Sequence, residues 1–160
     1  MNAIVPVTRE NQDAFLNGIL EIENLSFPSP WSSGTFRQEI ENPISNLWAL
    51  ITDGSLAGYI CFWMFDTEIQ LINIAVHPQQ RGKGCANRLL AEMVETGVSK
   101  AMHQIWLEVR VSNHTAQQLY HRLGFEVVGR RRGYYTDTKE DAMVMTLLLP
   151  GKDKHRRVSN

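Results

Sequence analysis

The run from Ile74 to Leu90, IAVHPQQRGKGCANRLL, has the residue types and spacing to hold an anion. It opens as the end of an apolar strand, which Pro78 stops by removing a ladder donor and fixing φ. Gly82 and Gly84 then let the backbone come close to a ligand. An amphipathic helix follows, and its first amides have no internal acceptors and lie at the positive end of the helix dipole. Phosphate is the group such a strand, loop and helix start favours. The loop is not a Walker A loop, because no Gly-Lys-Ser/Thr closes it. Gly82, Gly84 and Ala86, spaced two apart, do not make GxGxxG either. A plain strand-to-helix turn is the alternative reading. Other chemistries lack their signatures. His77, His103, His114, His121 and His155 show no HExxH or Cys/His ligand spacing, so no metal is expected. There is no GxSxG elbow.

The flanking elements read clearly. Ala3 to Val7 is a short β-prone run. Phe15, Leu16, Ile19, Leu20 and Glu23 give helical spacing over Gln12 to Leu25, broken by Phe27-Pro28-Ser29-Pro30. Ser32 can cap a second helix reaching Glu41, with Trp31 and Phe36 as a hydrophobic staple. Leu47 to Thr52 and Leu56 to Phe65 are strands joined at Asp53-Gly54, a pair that tolerates positive φ. Glu68 to Val76 is a strand apolar enough to be covered on both faces. After the loop, Ala86, Leu89, Leu90, Met93, Val94 and Gly97 form one helical stripe. Ile105 to Arg110 is a strand with Ile105, Leu107 and Val109 on one face and Trp106, Glu108 and Arg110 on the other. Ser112 can cap a helix carrying Ala116, Leu119, Tyr120 and Leu123, which Gly124 ends. Phe125 to Val128 and Asp141 to Leu149 are the last strands. The order βααβββαβαββ predicts an α/β (α+β) fold: a mixed, mostly antiparallel sheet of about seven strands with helices on both faces.

The 160 residues suit one domain over 1–150, followed by a polar, basic tail over 151–160 that is expected to fray. A net charge of -1 points to neither nucleic acid nor membrane as partner. The apolar run Tyr59 to Phe65 is far short of a membrane span, and Met1 to Ile4 lacks signal-peptide character. Cys61 and Cys85 form no CxxC pair, which is the usage of a reducing compartment. A cytoplasmic protein is expected.

Arg81-x-x-Gly84-x-Ala86 matches the Arg/Gln-x-x-Gly-x-Gly/Ala loop of the GNAT superfamily of N-acetyltransferases, and Gln79-x-x-Gly82-x-Gly84 matches it in the other phase. Loop and element order together resemble the GNAT fold over roughly Ile4 to Leu149. Four strings are similar to the RimI-type subgroup, which acetylates the N-terminal alanine of a small-subunit ribosomal protein. They are Phe27 to Ser32; Trp106 to Arg110; Asn113 with Leu119-Tyr120 and Leu123-Gly124-Phe125; and Arg131 to Tyr135 followed by Glu140-Asp141-Ala142. The departure is Thr136, where many relatives place proline after the tyrosine pair.

The resemblance implies acetyl-CoA as co-substrate and an N-terminal peptide, ribosomal in origin, as acceptor. Arg81, Gly82, Lys83, Gly84, Cys85, Ala86 and Asn87 would hold the pyrophosphate. Ile74, Ala75 and Val76 would pair with the pantetheine arm, with the Val76 N–H at the thioester oxygen as an oxyanion-type donor. An α-amine of pKa about 8 is only roughly a tenth neutral at pH 7, so a base helps. Glu108 is that base by resemblance; the alternative is an ordinary solvated or paired glutamate. Tyr120 is the acid that returns a proton to the thiolate, and it also fits the apolar stripe of its helix. Asn113 would bond the coenzyme arm or serve as a helix cap. Trp31, Tyr134 and Tyr135 would receive the peptide, although the tyrosine pair also reads as an exposed strand edge. Arg130 to Arg132 would steer a ligand or form a solvated face; Glu140 and Asp141 would attract a basic peptide or cap the last strand. Cys85, at the pyrophosphate rather than the thioester, reads as a small filler, not a nucleophile. The other readings are a GNAT enzyme acting on a lysine or small amine, and a non-catalytic acyl-CoA sensor or scaffold.

Overall fold

The computed structural model describes residues 2–150; the expected tail lies outside them. Seven strands and four α-helices make up a mixed α/β fold, with one sheet in the order β1-β2-β3-β4-β5-β7-β6. The registered pairs are antiparallel except β4 with β5. The chain divides into two compact units. One runs up to Met64 and includes Ile72–Met93; the other holds Phe65–Leu71 and the chain from Val94 on.

In the first unit, β1 (Asn2–Pro6) pairs with β2 (Ser45–Thr52), and β2 with β3 (Ser55–Phe65). The hairpin between β2 and β3 turns on Asp53 (φ 51) and Gly54 (φ 82), as that pair predicts. Helix α1 (Gln12–Ser26) buries Leu16, Ile19 and Ile22. Helix α2 (Ser33–Glu41) is capped by Ser32, whose hydroxyl accepts from Thr35 N at 3.2 Å. The Trp31 and Phe36 rings pack at 5.2 Å between centroids, forming the staple.

Glu23 also sits on the α1 stripe and is only 1% exposed. Its carboxylate accepts from the Tyr59 hydroxyl, from Asn73 Nδ2 at 2.8 Å and from Trp31 N at 2.9 Å. Glu39 of α2 accepts from Trp63 Nε1 at 2.6 Å and Ser45 Oγ at 2.8 Å. Tyr59, Cys61 and Trp63 alternate along β3 and so share a face. Two acids therefore strap α1 and α2 to one strand, and a buried bond of this charged kind contributes about 1.5–3 kcal/mol. Burial pushes the Cys61 thiol up to about 12, so it is an inert core residue. Strand β4 (Glu68–Val76) has no exposed position beyond Glu68. Gly58 lets β3 and β4 approach: a Cβ there would meet Ala75 O at 2.7 Å and Val76 Cα at 3.3 Å.

Helix α3 (Cys85–Ser99) buries Leu89, Leu90 and Met93 completely, as its stripe predicts. In the second unit, the start of β4 runs parallel to β5 (Gln104–Arg110) through Glu68↔Gln104, Ile69↔Ile105 and Gln70↔Trp106. Burial alternates along β5, with Ile105, Leu107 and Val109 inward. Helix α4 (His114–Arg122) starts one residue later than expected. Asn113 rather than Ser112 caps it, taking Ala116 N at 3.1 Å, while Ser112 N donates to Glu140 Oε2 at 2.7 Å. Gly124 follows with φ 101.

Strand β6 (Glu126–Tyr135) is much longer than the expected Phe125 to Val128, and β7 (Glu140–Leu148) pairs both β6 and β5. The register of β6 slips between Arg131 and Tyr135. Arg132, Gly133 and Tyr134 stand opposite Asp141 alone, an irregularity that re-aims side chains. Gly133 takes φ 59 there, and its N–H donates to Asp141 Oδ1 at 2.8 Å. No helix among the described residues is long and apolar enough to cross a membrane.

Candidate active site

The first cluster is the loop after β4. Ile74, Ala75 and Val76 end the strand, the last two buried. His77 caps a 3-10 turn (Pro78–Gln80), its Nδ1 accepting from Gln79 N at 3.1 Å. Gly82 and Gly84 take φ of 76 and 80, and a Cβ on either would meet nothing within 4 Å. The glycines are thus required by backbone conformation, and the space over the loop is open. The Arg88 N–H donates to Gly84 O at 3.0 Å, closing the first turn. The amides of Cys85, Ala86 and Asn87 therefore lie in the first turn, where no helical carbonyl is in reach.

Arg81 is tied back, its Nε donating to Val76 O at 3.1 Å and a terminal nitrogen to Ser26 Oγ at 3.3 Å. Ser26 was not expected here; its position at the end of α1 brings it under the loop. Exposed Lys83 lies 3.5 Å from Gln80 Oε1. The Cys85 thiol is buried and directed at Gln80 O, 3.6 Å away, which fits a filler. Open amides, two left-handed glycines and two cations fit a diphosphate.

The second cluster is built on β5, α4 and the β6–β7 hairpin. The Glu108 side chain is 8% exposed, with Arg131 Nε 3.1 Å from Oε2. That contact is an ion pair without hydrogen-bond alignment, so Oε2 is buried with no hydrogen bond. Oε1 accepts from the Tyr134 hydroxyl at 3.1 Å. The irregular stretch of β6 is what brings Tyr134 to Glu108. Burial, and then the bond to Glu108, raise the Tyr134 hydroxyl above its ordinary value. Oε2 therefore keeps the capacity to accept a hydrogen bond from a donor that reaches it.

Tyr120 is buried against Phe125, with ring centroids 5.7 Å apart. Burial first, and Tyr135 second, raise its hydroxyl above the ordinary phenol value, so it stays protonated. Ring burial and a proton to give are compatible, as the sequence allows. Tyr135 is half-buried, edge-on to Tyr134 at 5.1 Å, and burial pushes it up to about 12. Both tyrosines lie on β6, the last strand in the sheet order, so the strand-edge reading also holds.

Several expected residues have local partners. Asn113 caps α4 through Oδ1. Asp141 accepts from Arg130 Nε at 2.7 Å, and Glu140 accepts from Ser112 N and pairs with Arg110 at 3.5 Å. These acids serve the hairpin. Trp31 belongs to the first unit, held through its N–H by Glu23. Among the described residues no three His, Cys, Asp or Glu side chains gather as metal ligands would.

Known proteins similar to this chain are acetyltransferases. The profile described as the Acetyltransferase (GNAT) family matches residues 16–125. A Bacillus subtilis (strain 168) protein, provisionally named a ribosomal protein bS18-alanine N-acetyltransferase, is 41% identical over 135 residues, covering 84% of this chain and 89% of its own. A Haemophilus ducreyi protein named a ribosomal protein bS18-alanine N-acetyltransferase is 35% identical over 136 residues, covering 83% of this chain and 93% of its own. The crystal structure of the ribosomal-protein alanine N-acetyltransferase of Escherichia coli superposes with a TM-score of 0.83 at 32% identity, covering 93% of this chain and 94% of its own.

Proposed function

The chain belongs to the GNAT family of acetyltransferases, which use acetyl-CoA, and from that premise we propose that it acetylates the N-terminal alanine amine of a small-subunit ribosomal protein. Relatives on both sides of 40% identity bear that name over most of their length. A ribosomal substrate, as the relatives' names give it, supports a cytoplasmic reaction. The domain is read as one, over 1–150, because the family match runs through both units.

Acetyl-CoA supplies an acetyl group activated as a thioester. The amides from Arg81 to Asn87 hold its pyrophosphate, and Ile74 to Val76 its arm, with the Val76 N–H polarising the carbonyl. Asn113 keeps a side-chain N–H₂ for the arm while its oxygen caps α4. Glu108 takes a proton from the substrate ammonium, directly or through water, so that the amine attacks. Tyr120 donates a proton to the leaving sulfur. Tyr134, Tyr135 and Trp31 receive the peptide. The observation that carries this reading is Glu108 Oε2, a buried carboxylate oxygen that is ion-paired to Arg131 but accepts no hydrogen bond. An α-ammonium can donate one.

The test is incubation with acetyl-CoA and a panel of peptides, polyamines and lysine-bearing peptides, read by mass. Acetyl on the α-amine of peptides beginning with alanine is the expected result. Label confined to lysine side chains or polyamines overturns it.

A further inference from the structure

We propose that Arg110 is a positioning residue for the peptide acceptor: it clamps the β6–β7 turn so that Tyr134 and Tyr135 stand ready to receive the substrate. The proposal rests on the tyrosine pair as the peptide-facing surface. Arg110 ends β5, two residues beyond Glu108, on the same face of the strand. One terminal nitrogen donates to Asp137 Oδ2 at 2.8 Å; the other donates to Thr138 Oγ1 at 3.1 Å and lies 3.5 Å from Glu140 Oε1. The guanidinium centre stacks 4.0 Å from the Tyr135 ring centroid. One side chain thus holds two residues of the turn, the first residue of β7 and one of the tyrosines.

The turn needs such a clamp. Its residues are Thr136, Asp137, Thr138 and Lys139, and Lys139 takes φ 58, a left-handed conformation that costs a non-glycine residue. Thr136 has no ring to fix its φ. The strand leading in has slipped register between Arg131 and Tyr135, so Tyr134 has no registered partner on β7. Arg110 is only 23% exposed on its side chain, as are Asp137 at 23% and Glu140 at 16%, so water screens these pairs less than a surface bridge. The planar fork reaches two acids, a hydroxyl and a ring together, which a lysine ammonium cannot do.

The experiment compares wild type, Arg110→Lys and Arg110→Met in the full chain. Km for an alanine-starting peptide, Km for acetyl-CoA and amide exchange over 136–139 are measured for each. Arg110→Met should raise peptide Km about tenfold, because the stacked ring, the two acids and the hydroxyl all lose their partner, with acetyl-CoA Km within about twofold. Exchange over 136–139 should quicken. Arg110→Lys should lie closer to Arg110→Met than to wild type. Unchanged peptide Km with unchanged exchange overturns the proposal. So does a loss spread equally over both Km values and kcat, because that describes general destabilisation. If wild type acetylates no peptide terminus, the functional reading fails instead; exchange in Arg110→Met then decides whether the clamp exists, and protection equal to wild type removes it.

Discussion

The loop after β4 and the cluster around Glu108 are built on opposite plans. The loop works through its main chain. Its amides come from consecutive residues, its shape is set by two left-handed glycines, and side chains such as Arg81 fold back to brace it. The Glu108 cluster works through side chains from three places in the sequence, and it depends on a register slip in β6 to bring Tyr134 within reach. A main-chain site is written contiguously and tolerates changes of side chain but not of φ. A side-chain site is scattered, and single atoms matter in it.

The widest separation between the two should come from Glu108→Gln. The amide cannot take the proton, so kcat should fall about 10²- to 10³-fold while the dissociation constant for acetyl-CoA, measured by calorimetry, stays within about twofold. Equal kcat for the variant removes Glu108 as the base. Next in size is the loop. Gly84→Val should raise acetyl-CoA Km about tenfold, because a β-branched residue at positive φ costs 1–2 kcal/mol or more. Gly84→Asn should do less harm, since asparagine visits that region. Room around the Cβ is open, so equal damage by both variants would mean that bulk rather than φ is at fault.

Most of the first plan could be read from the sequence, because its signals are local. Pro78, Gly82, Gly84 and the Leu89-Leu90-Met93 stripe are neighbours in the chain and act on each other. The Asp53-Gly54 hairpin and the Trp31–Phe36 staple succeeded for the same reason. The second plan was legible only in part. β6 past Val128 was missed because an edge strand exposed on both faces carries no apolar alternation, and three arginines followed by Gly133 hide what little there is. Arg131 read as part of a ligand-steering or solvated run; its place beside Glu108 follows from pairing β6 to β7 and β7 to β5, which no local pattern states. Ser112 and Asn113 are both good caps, and the choice fell to Glu140, which takes the Ser112 amide. Glu23 did leave a signal, a charge on an apolar stripe, but its partners at Tyr59 and Asn73 lie far along the chain.

The smallest expected effect is acid loosening of the hairpin. Asp141 is held below its ordinary 3.8 by Gly133 N–H and Arg130, and Glu140 below its ordinary 4.5 by Ser112 and Arg110. Depressed folded values mean that this support is complete above those ordinary values and fades as pH falls through the lowered ones. Exchange over 133–141 should therefore quicken below about pH 4 while the amides of Leu89, Leu90 and Met93, buried in α3, keep their protection. Simultaneous loss in both places would show that the hairpin is not a separate unit of stability.

Gly58 gives the loop a distant tuning point. A hydrogen atom there, and nothing larger, separates β3 from the carbonyl of Ala75 and the α-carbon of Val76. One methyl group would act as a shim beneath the strand end from which the loop departs. Anyone adjusting how this enzyme grips its donor has a lever at residue 58, well before the loop it would tilt.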